Sequence, residues 1–168
     1  MDVCDKRELE ILVISCDKFD DCWIPFSECI QKFWPDCPYP ISLCTETKDA
    51  PYDISLFTKT YKSDNKSWSA RISDACNKIN AEYVLFVLED QWLAKQIEND
   101  AIIQNIEFMN KDNSIGVVYL EKRVLGERNC KVLSDRYIEI PQNISYRFSA
   151  GPAIWRKSYL SKILNSDE

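Results

Sequence analysis

Hydrophobic residues along this chain fall into short continuous runs separated by stretches with helical spacing. Residues 9–15, 83–88 and 115–120 are almost entirely apolar, as in strands that are covered on both faces of a sheet. Between these runs, apolar residues recur every three or four positions, which predicts helices with one buried face. These helical positions are Trp23, Phe26, Ile30 and Phe33, and then Ile72, Ala75, Cys76 and Ile79.

Weaker patterns predict the remaining elements. Residues 41–44 are expected to form a short strand, and residues 52–61 another strand or an extended edge. Further expectations are a polar loop at 16–21, a helix at 98–110, a hairpin or mobile loop at 121–136, and a last short helix with Leu160, Ile163 and Leu164. The alternation of strands and helices predicts one α/β domain over residues 1–168, with a mostly parallel sheet and helices on both faces.

The composition is that of an ordinary globular domain. The chain has 168 residues, of which 45% are hydrophobic and 29% are charged. Its formal net charge of −6 disfavours nucleic acid as the main ligand, because a phosphate backbone normally selects a basic surface. The N-terminal residues lack an apolar signal core, and no apolar run approaches the length of a membrane span. We therefore expect a cytoplasmic protein without a transmembrane segment.

Two residue types are too scarce for several common kinds of active site. The chain has no histidine and only three glycines, Gly116, Gly126 and Gly151. Without histidine there is no Ser-His-Asp triad, no Cys-His dyad and no metal site that contains histidine. So few glycines allow neither the dinucleotide fingerprint nor the loop of P-loop nucleotide hydrolases. Carboxylate chemistry, metals ligated by oxygen, and binding alone remain.

The eight cysteines are expected to be reduced and structural. They form no Cys-x-x-Cys pair, and Cys16, Cys44 and Cys76 fall within apolar-periodic segments, where a thiol packs as a small hydrophobe. A metal or redox site is the alternative.

Polar clusters follow two of the predicted core strands. The first strand runs into Ser15-Cys16-Asp17, and the strand at residues 83–88 runs into Glu89-Asp90-Gln91. Ligands of open α/β sheets bind at the carboxyl ends of the strands, and adjacent carboxylates suit Mg²⁺ or Mn²⁺. The sequence therefore predicts a divalent-cation site at Glu89 and Asp90, with a solvated loop as the alternative.

Other side chains are weaker candidates for ligand contacts. Arg71, in the first turn of a predicted helix, would reach a diphosphate or a base, or would be a surface arginine. Trp68 and Trp92 would stack on a base or sugar ring, or would pack within the protein. A basic set interleaved with acids would face a phosphate or be solvated; it comprises Lys122, Arg123, Arg128, Lys131 and Arg136.

Three segments, taken together, carry a family resemblance. They are ILVISCDKFDDCWIPFSECIQKFWPDCP, WSARISDACNKINAEYVLFVLEDQWL and FSAGPAIWRKSYL. In their order and spacing, over most of residues 10–164, they resemble bacterial GT-A-type glycosyltransferases of capsule and lipopolysaccharide assembly. The resemblance implies a single-domain GT-A, or Rossmann-like, fold. It also implies transfer of a sugar from a nucleoside diphosphate sugar to a glycan or lipid-linked glycan, the latter at the inner-membrane surface.

By position, the resemblance gives roles to residues of this chain. It implies that Ser15, Asp17, Arg71 and Asp90 bind the donor nucleotide, that Glu89 and Asp90 bind the metal, and that Ser149, Ala150 and Gly151 border the sugar and acceptor. No residue is assigned as the catalytic base.

Two departures from the family keep other functions open. Gln91 stands where Asp-x-Asp has its second acid, which affects metal dependence, and family members usually extend well past 168 residues. A chain without the usual acceptor segment would be a non-catalytic nucleotide-sugar-binding domain. A sugar nucleotidyltransferase is a further alternative, against which residues 15–21 contain no glycine for a phosphate loop. A protein-interaction module would leave both polar clusters unexplained.

Overall fold

The computed structural model describes residues 8–121, 130–145 and 147–164. Its strands are β1 (Leu9–Ile14), β2 (Ile41–Thr45), β3 (Phe57–Lys62), β4 (Tyr83–Leu88), β5 (Val117–Tyr119), β6 (Lys131–Val132), β7 (Ile138–Glu139) and β8 (Ala153–Arg156). Its α-helices are α1 (Trp23–Phe33), α2 (Trp68–Lys78), α3 (Asn99–Lys111) and α4 (Lys157–Leu164), and a 3₁₀ helix spans Asp17–Cys22. No helix in these ranges is long and apolar enough to cross a membrane.

A six-stranded sheet has the order β3-β2-β1-β4-β8-β5. The strand β1 pairs in parallel with β2 and β4, and β2 pairs in parallel with β3. The strand β8 is antiparallel to both β4 and β5. The mostly parallel α/β architecture expected from the sequence is therefore confirmed. A separate hairpin pairs β6 with β7, while residues 122–129 of the stretch predicted as a hairpin or loop lie outside the described residues.

The two faces of β1 contribute to two different apolar cores. Leu9, Ile11 and Val13 pack with residues of α1 and α3, whereas Leu12 and Ile14 pack with residues of α2 and α4. Burial of each such side chain stabilises the fold by about 1.5–3 kcal/mol. The continuous apolar run in the sequence reflects this coverage, because both faces of the strand need apolar side chains.

One carboxylate interrupts the apolar run. Glu10 is 4% exposed, and its Oε1 accepts hydrogen bonds from Ser42 Oγ at 2.6 Å and from the Tyr61 hydroxyl at 2.9 Å. Buried polar groups are tolerated where they are hydrogen-bonded. These two donors, one from β2 and one from β3, therefore satisfy the buried carboxylate of Glu10.

One local expectation is wrong, and one strand was not assigned from the sequence. Residues 17–21 of the predicted polar loop at 16–21 instead belong to the 3₁₀ helix, whose first turn carries Asp17 and Asp20, and acidic residues are favoured at the start of a helix. The turn after Gly151 leads into a strand, β8, that the sequence analysis did not assign. This strand has four residues, too few to leave a clear period in the sequence.

The described cysteines have free thiols. Cys44 and Cys76 are buried, and burial raises the pKa of their thiols to about 11 and about 12. Cys16 differs from the expectation, because it lies partly exposed after the end of β1 rather than in the core. Cys4 lies outside the described residues.

Candidate functional site

The predicted polar clusters lie at one edge of the sheet, where β1, β2 and β4 end. The Ser15 backbone N–H donates to Cys44 O of β2 at 3.0 Å, and the Glu89 backbone N–H donates to Ile14 O of β1 at 3.3 Å. These bonds bring the segments that follow β1 and β4 side by side. We call the region formed by residues 15–17, 46–48, 89–91 and 149–151 the carboxyl edge.

Ser15 joins β1 to α1. Its Oγ accepts a hydrogen bond from Trp23 Nε1 at 2.8 Å and donates to Cys16 O at 3.4 Å. Ser15 is 5% exposed and Trp23 is 1% exposed. The Ser15 side chain is therefore engaged with protein groups, and its predicted contact with a nucleotide stays a prediction.

Asp17 orders the turn that follows β2. The backbone N–H groups of Thr47 and Lys48 each donate to its carboxylate at 3.1 Å, and the Thr47 hydroxyl also donates to it. Slight burial acts to raise the pKa of Asp17, but these hydrogen bonds hold it below its ordinary value. The Lys48 ammonium donates to Asp17 O and pairs with Asp20. This network links the 3₁₀ helix to the end of β2.

Arg71 and Glu46 form an ion pair beside this turn. Arg71 Nη1 lies 3.5 Å from Glu46 Oε1 and donates to Asn65 O at 3.1 Å, and the arginine side chain is 11% exposed. The other Glu46 oxygen accepts the backbone N–H of Asp17. Glu46 thus connects the segment after β1 to α2. The sequence analysis missed Glu46, although it follows a buried strand directly, as Glu89 does.

The three residues after β4 have different environments. Glu89 is 7% exposed, and burial raises the pKa of its carboxyl above its ordinary value. Asp90 is exposed. Gln91 Oε1 accepts the Leu88 backbone N–H at 3.0 Å, and Gln91 Nε2 donates to Ala150 O at 3.1 Å. Gln91 therefore joins the end of β4 to the turn at residues 149–151.

The donor set at this edge suits a cation that binds mainly through substrate. Among the residues that the structure describes, no group of three or more cysteine, aspartate and glutamate side chains is placed to hold a metal. Of the two predicted ligands, Asp90 is exposed and Glu89 is buried. Magnesium typically keeps several waters and binds through one or two carboxylates together with substrate phosphates. The residues present fit a cation of this kind, and the cation itself stays a prediction.

The end of β5 supports the turn that was predicted to border the sugar and acceptor. The Tyr119 hydroxyl donates to Arg147 O at 3.1 Å and accepts the Ser149 backbone N–H at 3.0 Å. Ser149 Oγ accepts the Gly151 backbone N–H at 3.2 Å. These bonds and the one from Gln91 hold residues 149–151 between the ends of β4 and β5.

A further carboxylate, that of Glu121, lies beside this turn. A β-carbon placed on Gly151 would be 3.8 Å from Glu121 Oε2 and 3.5 Å from Ser149 Oγ. Glu121 is exposed. The sequence analysis noted Glu121 only as one of the acids within a charged stretch. The structure thus brings to the turn a residue that is about thirty positions earlier in the chain.

The remaining candidates are distributed more widely. Trp68 is 46% exposed and packs edge-on against Phe86, and Trp92 is 57% exposed with its Nε1 donating to Glu89 O at 3.2 Å. Of the basic set, Lys131 begins the β6–β7 hairpin and Arg136 lies in its turn, whereas Lys122, Arg123 and Arg128 lie outside the described residues. Tyr137 of the hairpin stacks on Phe108 of α3.

A cavity of about 950 Å³ runs along the side of β5 that faces away from β8. It is lined by residues of β5, the β6–β7 hairpin and the end of α3, and its aromatic lining consists of Phe108, Tyr119, Tyr137, Phe148 and Tyr159. Glu121 lines it as well. The cavity is thus separate from the predicted nucleotide contacts and meets the carboxyl edge at the end of β5.

Comparison with known proteins gives structural similarity only. No protein-family model and no curated protein sequence matches the chain. One similar structure is CMP:2-keto-3-deoxy-manno-octonic acid synthetase complexed with CTP, with a TM-score of 0.56 and 11% identity over 96% of this chain and 79% of that one. Another is the bifunctional IspDF from Campylobacter jejuni, with a TM-score of 0.53 and 13% identity over 95% of this chain and 44% of that one. At these identities the similarity shows a shared fold, and this chain spans less than half of the second protein.

Proposed function

We propose that this chain binds a nucleotide at the carboxyl edge and catalyses nucleotidyl transfer to a sugar. The observation that supports the reaction class is the likeness of the fold to a synthetase of a CMP-linked sugar acid in complex with CTP. Formation of a CMP-linked sugar from CTP is a nucleotidyl transfer. The polar segments of this chain also follow its parallel strands, where open α/β sheets bind their ligands.

Residues of α2 would contact the base and the phosphates. Trp68 and Arg71 are three positions apart, so they lie on neighbouring parts of the helix surface. The half-exposed ring of Trp68 offers a face on which a base could stack. Arg71 would contact a phosphate by exchanging its partner Glu46, because guanidinium groups bind phosphate and carboxylate with similar geometry.

Asp90 would hold a divalent cation together with the nucleotide phosphates. When bound, such a cation neutralises charge on the departing phosphates. Glu89 would remain buried against Ser15, and Gln91 would keep the 149–151 turn in place. Ser15 and Asp17 would position the segments around the nucleotide through the hydrogen bonds described above.

Glycosyl transfer from a nucleoside diphosphate sugar is a second candidate, and one observation favours it. The segment after β1 is a 3₁₀ helix with Asp17, Asp20 and Asp21, and residues 15–21 contain no glycine. A glycine-rich loop after the first strand cradles phosphates through its backbone N–H groups. The acidic helix would repel a triphosphate more strongly than a diphosphate in which one end carries a sugar.

Product analysis separates these reactions. The chain would be incubated with Mg²⁺ and either CTP plus 2-keto-3-deoxy-manno-octonic acid, CTP plus glucose 1-phosphate, or UDP-glucose plus a glucoside acceptor. Release of pyrophosphate supports nucleotidyl transfer, whereas release of UDP supports glycosyl transfer. A nucleotide-induced increase in melting temperature without turnover supports binding alone.

The binding site is tested in the same samples by substitution. A ligand at 100 times its dissociation constant stabilises a fold by about 2.7 kcal/mol, which thermal unfolding resolves. We expect Asp90→Asn to remove the Mg²⁺-dependent part of this stabilisation, while Asp53→Asn, at an exposed turn, keeps it. The proposal would be refuted if none of these nucleotides produced either turnover or a thermal shift.

A further inference from the structure

We propose that Glu121 is the general base of this site and that the second substrate reacts through a sugar hydroxyl. This inference rests on the proposed function and specifies its substrate class. A hydroxyl must lose a proton as it attacks, so it needs a base. A sugar phosphate is already an anionic nucleophile, and a carboxylate beside it would repel it.

The position of Glu121 in the sheet leaves room for a sugar. The strand β8 lies between β4 and β5, and neighbouring strands are about 4.8 Å apart, so the ends of β4 and β5 are roughly 10 Å apart. Asp90 follows β4, and Glu121 follows β5 by two residues. A monosaccharide ring that lies over the 149–151 turn would therefore reach from a nucleotide phosphate at Asp90 to the carboxylate of Glu121.

The turn between these two acids is held by hydrogen bonds and has little side-chain bulk. Gln91 Nε2 donates to Ala150 O, and the Tyr119 hydroxyl accepts the Ser149 N–H. A β-carbon on Gly151 would make van der Waals contact with both Ser149 Oγ and Glu121 Oε2. Glycine at this position thus leaves the Glu121 carboxylate uncovered on the side that faces the turn.

The other acids of the carboxyl edge are occupied by other interactions. Asp17 accepts three hydrogen bonds from residues 47 and 48, and Glu46 pairs with Arg71. Glu89 is buried against Ser15, and Asp90 is the exposed ligand available to a cation. Glu121 is the exposed carboxylate at the opposite side of the turn, where the attacking group would lie.

The cavity beside β5 would receive the rest of the second substrate. It begins at Glu121 and includes Tyr119 and Phe148, and Phe148 is 46% exposed. Its volume of about 950 Å³ lies within the usual range for small-molecule sites. Aromatic rings beside a carboxylate provide an apolar surface for the ring carbons of a sugar together with an acceptor for its hydroxyl groups.

In the proposed step, the sugar hydroxyl oxygen forms a bond to the α-phosphorus of the nucleoside triphosphate. The bond between the α-phosphorus and the oxygen that bridges to the β-phosphorus breaks, and pyrophosphate leaves with that electron pair. The hydroxyl proton passes to the Glu121 carboxylate and then to water. In glycosyl transfer, the same hydroxyl would attack the anomeric carbon of the donor sugar and lose its proton to the same group. The bond from that carbon to the diphosphate oxygen breaks, and the nucleoside diphosphate leaves with the electron pair.

The test compares Glu121→Gln with wild type and with Glu107→Gln, a matched change at an exposed position of α3. Initial rates would be measured with the three substrate pairs named above, and CTP and UDP binding by thermal shift. We expect Glu121→Gln to lower kcat for the hydroxyl substrate by about 10²–10⁴-fold, with unchanged nucleotide-induced shifts. The fall in rate at acid pH that a carboxylate base produces should be absent from its residual activity. Glu107→Gln should behave as wild type.

The outcomes distinguish this inference from the proposed function. Wild-type turnover of a hydroxyl substrate with an equal rate in Glu121→Gln would overturn the role of Glu121 and leave the proposed function intact. If the wild-type protein turned over glucose 1-phosphate and neither of the other two substrate pairs, the role of Glu121 would also be overturned, since that nucleophile needs no base. Equal losses of nucleotide shift and rate in Glu121→Gln would indicate a structural role and also overturn the inference. No wild-type turnover with any pair would overturn this inference and the catalytic part of the proposed function, whose nucleotide-binding part is tested separately by the thermal shifts.

Discussion

Replacing Ser15 with alanine is expected to lower the free energy of unfolding by about 1–3 kcal/mol, the usual cost of a buried polar group without a partner. Trp23 is 1% exposed, and its Nε1 donates to Ser15 Oγ at 2.8 Å. Alanine would leave this indole N–H in the core without its acceptor.

Urea unfolding followed by circular dichroism would measure this effect in two backgrounds. In wild type, Ser15→Ala leaves the indole N–H unpaired. In a Trp23→Phe background the N–H is already absent, so the same change should cost less by about 1 kcal/mol or more. Ser55→Ala, at an exposed turn, provides a control in which the serine hydroxyl has no buried partner to lose.

Equal costs of Ser15→Ala in the two backgrounds would refute this reasoning, because the penalty would then not come from the indole N–H. A cost below about 0.5 kcal/mol in wild type, the level of ordinary surface changes, would also refute it. In that case the buried contact between α1 and the end of β1 would not position the carboxyl edge as described.

Two further predictions concern packing and pH. Gly116→Ala should cost about 1–3 kcal/mol through overpacking, since its β-carbon would clash with the Tyr159 ring. In thermal unfolding, the change should cost less in a Tyr159→Ala background, and equal costs in the two backgrounds would contradict the clash. The pKa of Tyr61 is raised from 10.0 to about 12, mainly by burial and then by its hydrogen bond to Glu10. The resulting stabilisation is complete below pH 10.0 and is lost as the pH rises to about 12. Urea unfolding across this window should therefore show a steeper loss in wild type than in Tyr61→Phe, and equal slopes would contradict the assignment.

Most strands of the central sheet and the helices that cover it were predictable because their burial requires apolar residues at recognisable positions in the sequence. Strands covered on both faces must be apolar throughout, and helices on either side need one apolar stripe. The strand at residues 83–88 was assigned with the bounds that the structure has. By contrast, β8 has four residues and pairs with β4 and β5 from a distant part of the chain. Its position depends on long-range pairing, which a local pattern does not record.

The same distinction applies to the site. One rule, that ligands meet strands at their carboxyl ends, was enough to bring together the segments that contain Ser15 and Glu89. The contacts that Glu46 and Glu121 make at this edge were not predictable in this way. Glu46 reaches the Asp17 N–H because β2 lies beside β1, and Glu121 reaches Gly151 because β5 pairs with β8. Both contacts depend on the order of strands in the sheet.

The presence of glutamine in place of a second acid after β4 has a physical reason in this fold. Gln91 must accept the Leu88 N–H and donate to Ala150 O at the same time. An ionised carboxylate has no proton to donate, so an acid at this position would leave the carbonyl of the turn without its donor. The turn matters to the site because it lies between Asp90 and Glu121. Gln91 thus fixes the turn where the Asp-x-Asp pattern would have its second acid, and the predicted metal dependence should be assessed with the nucleotide present rather than with the metal alone.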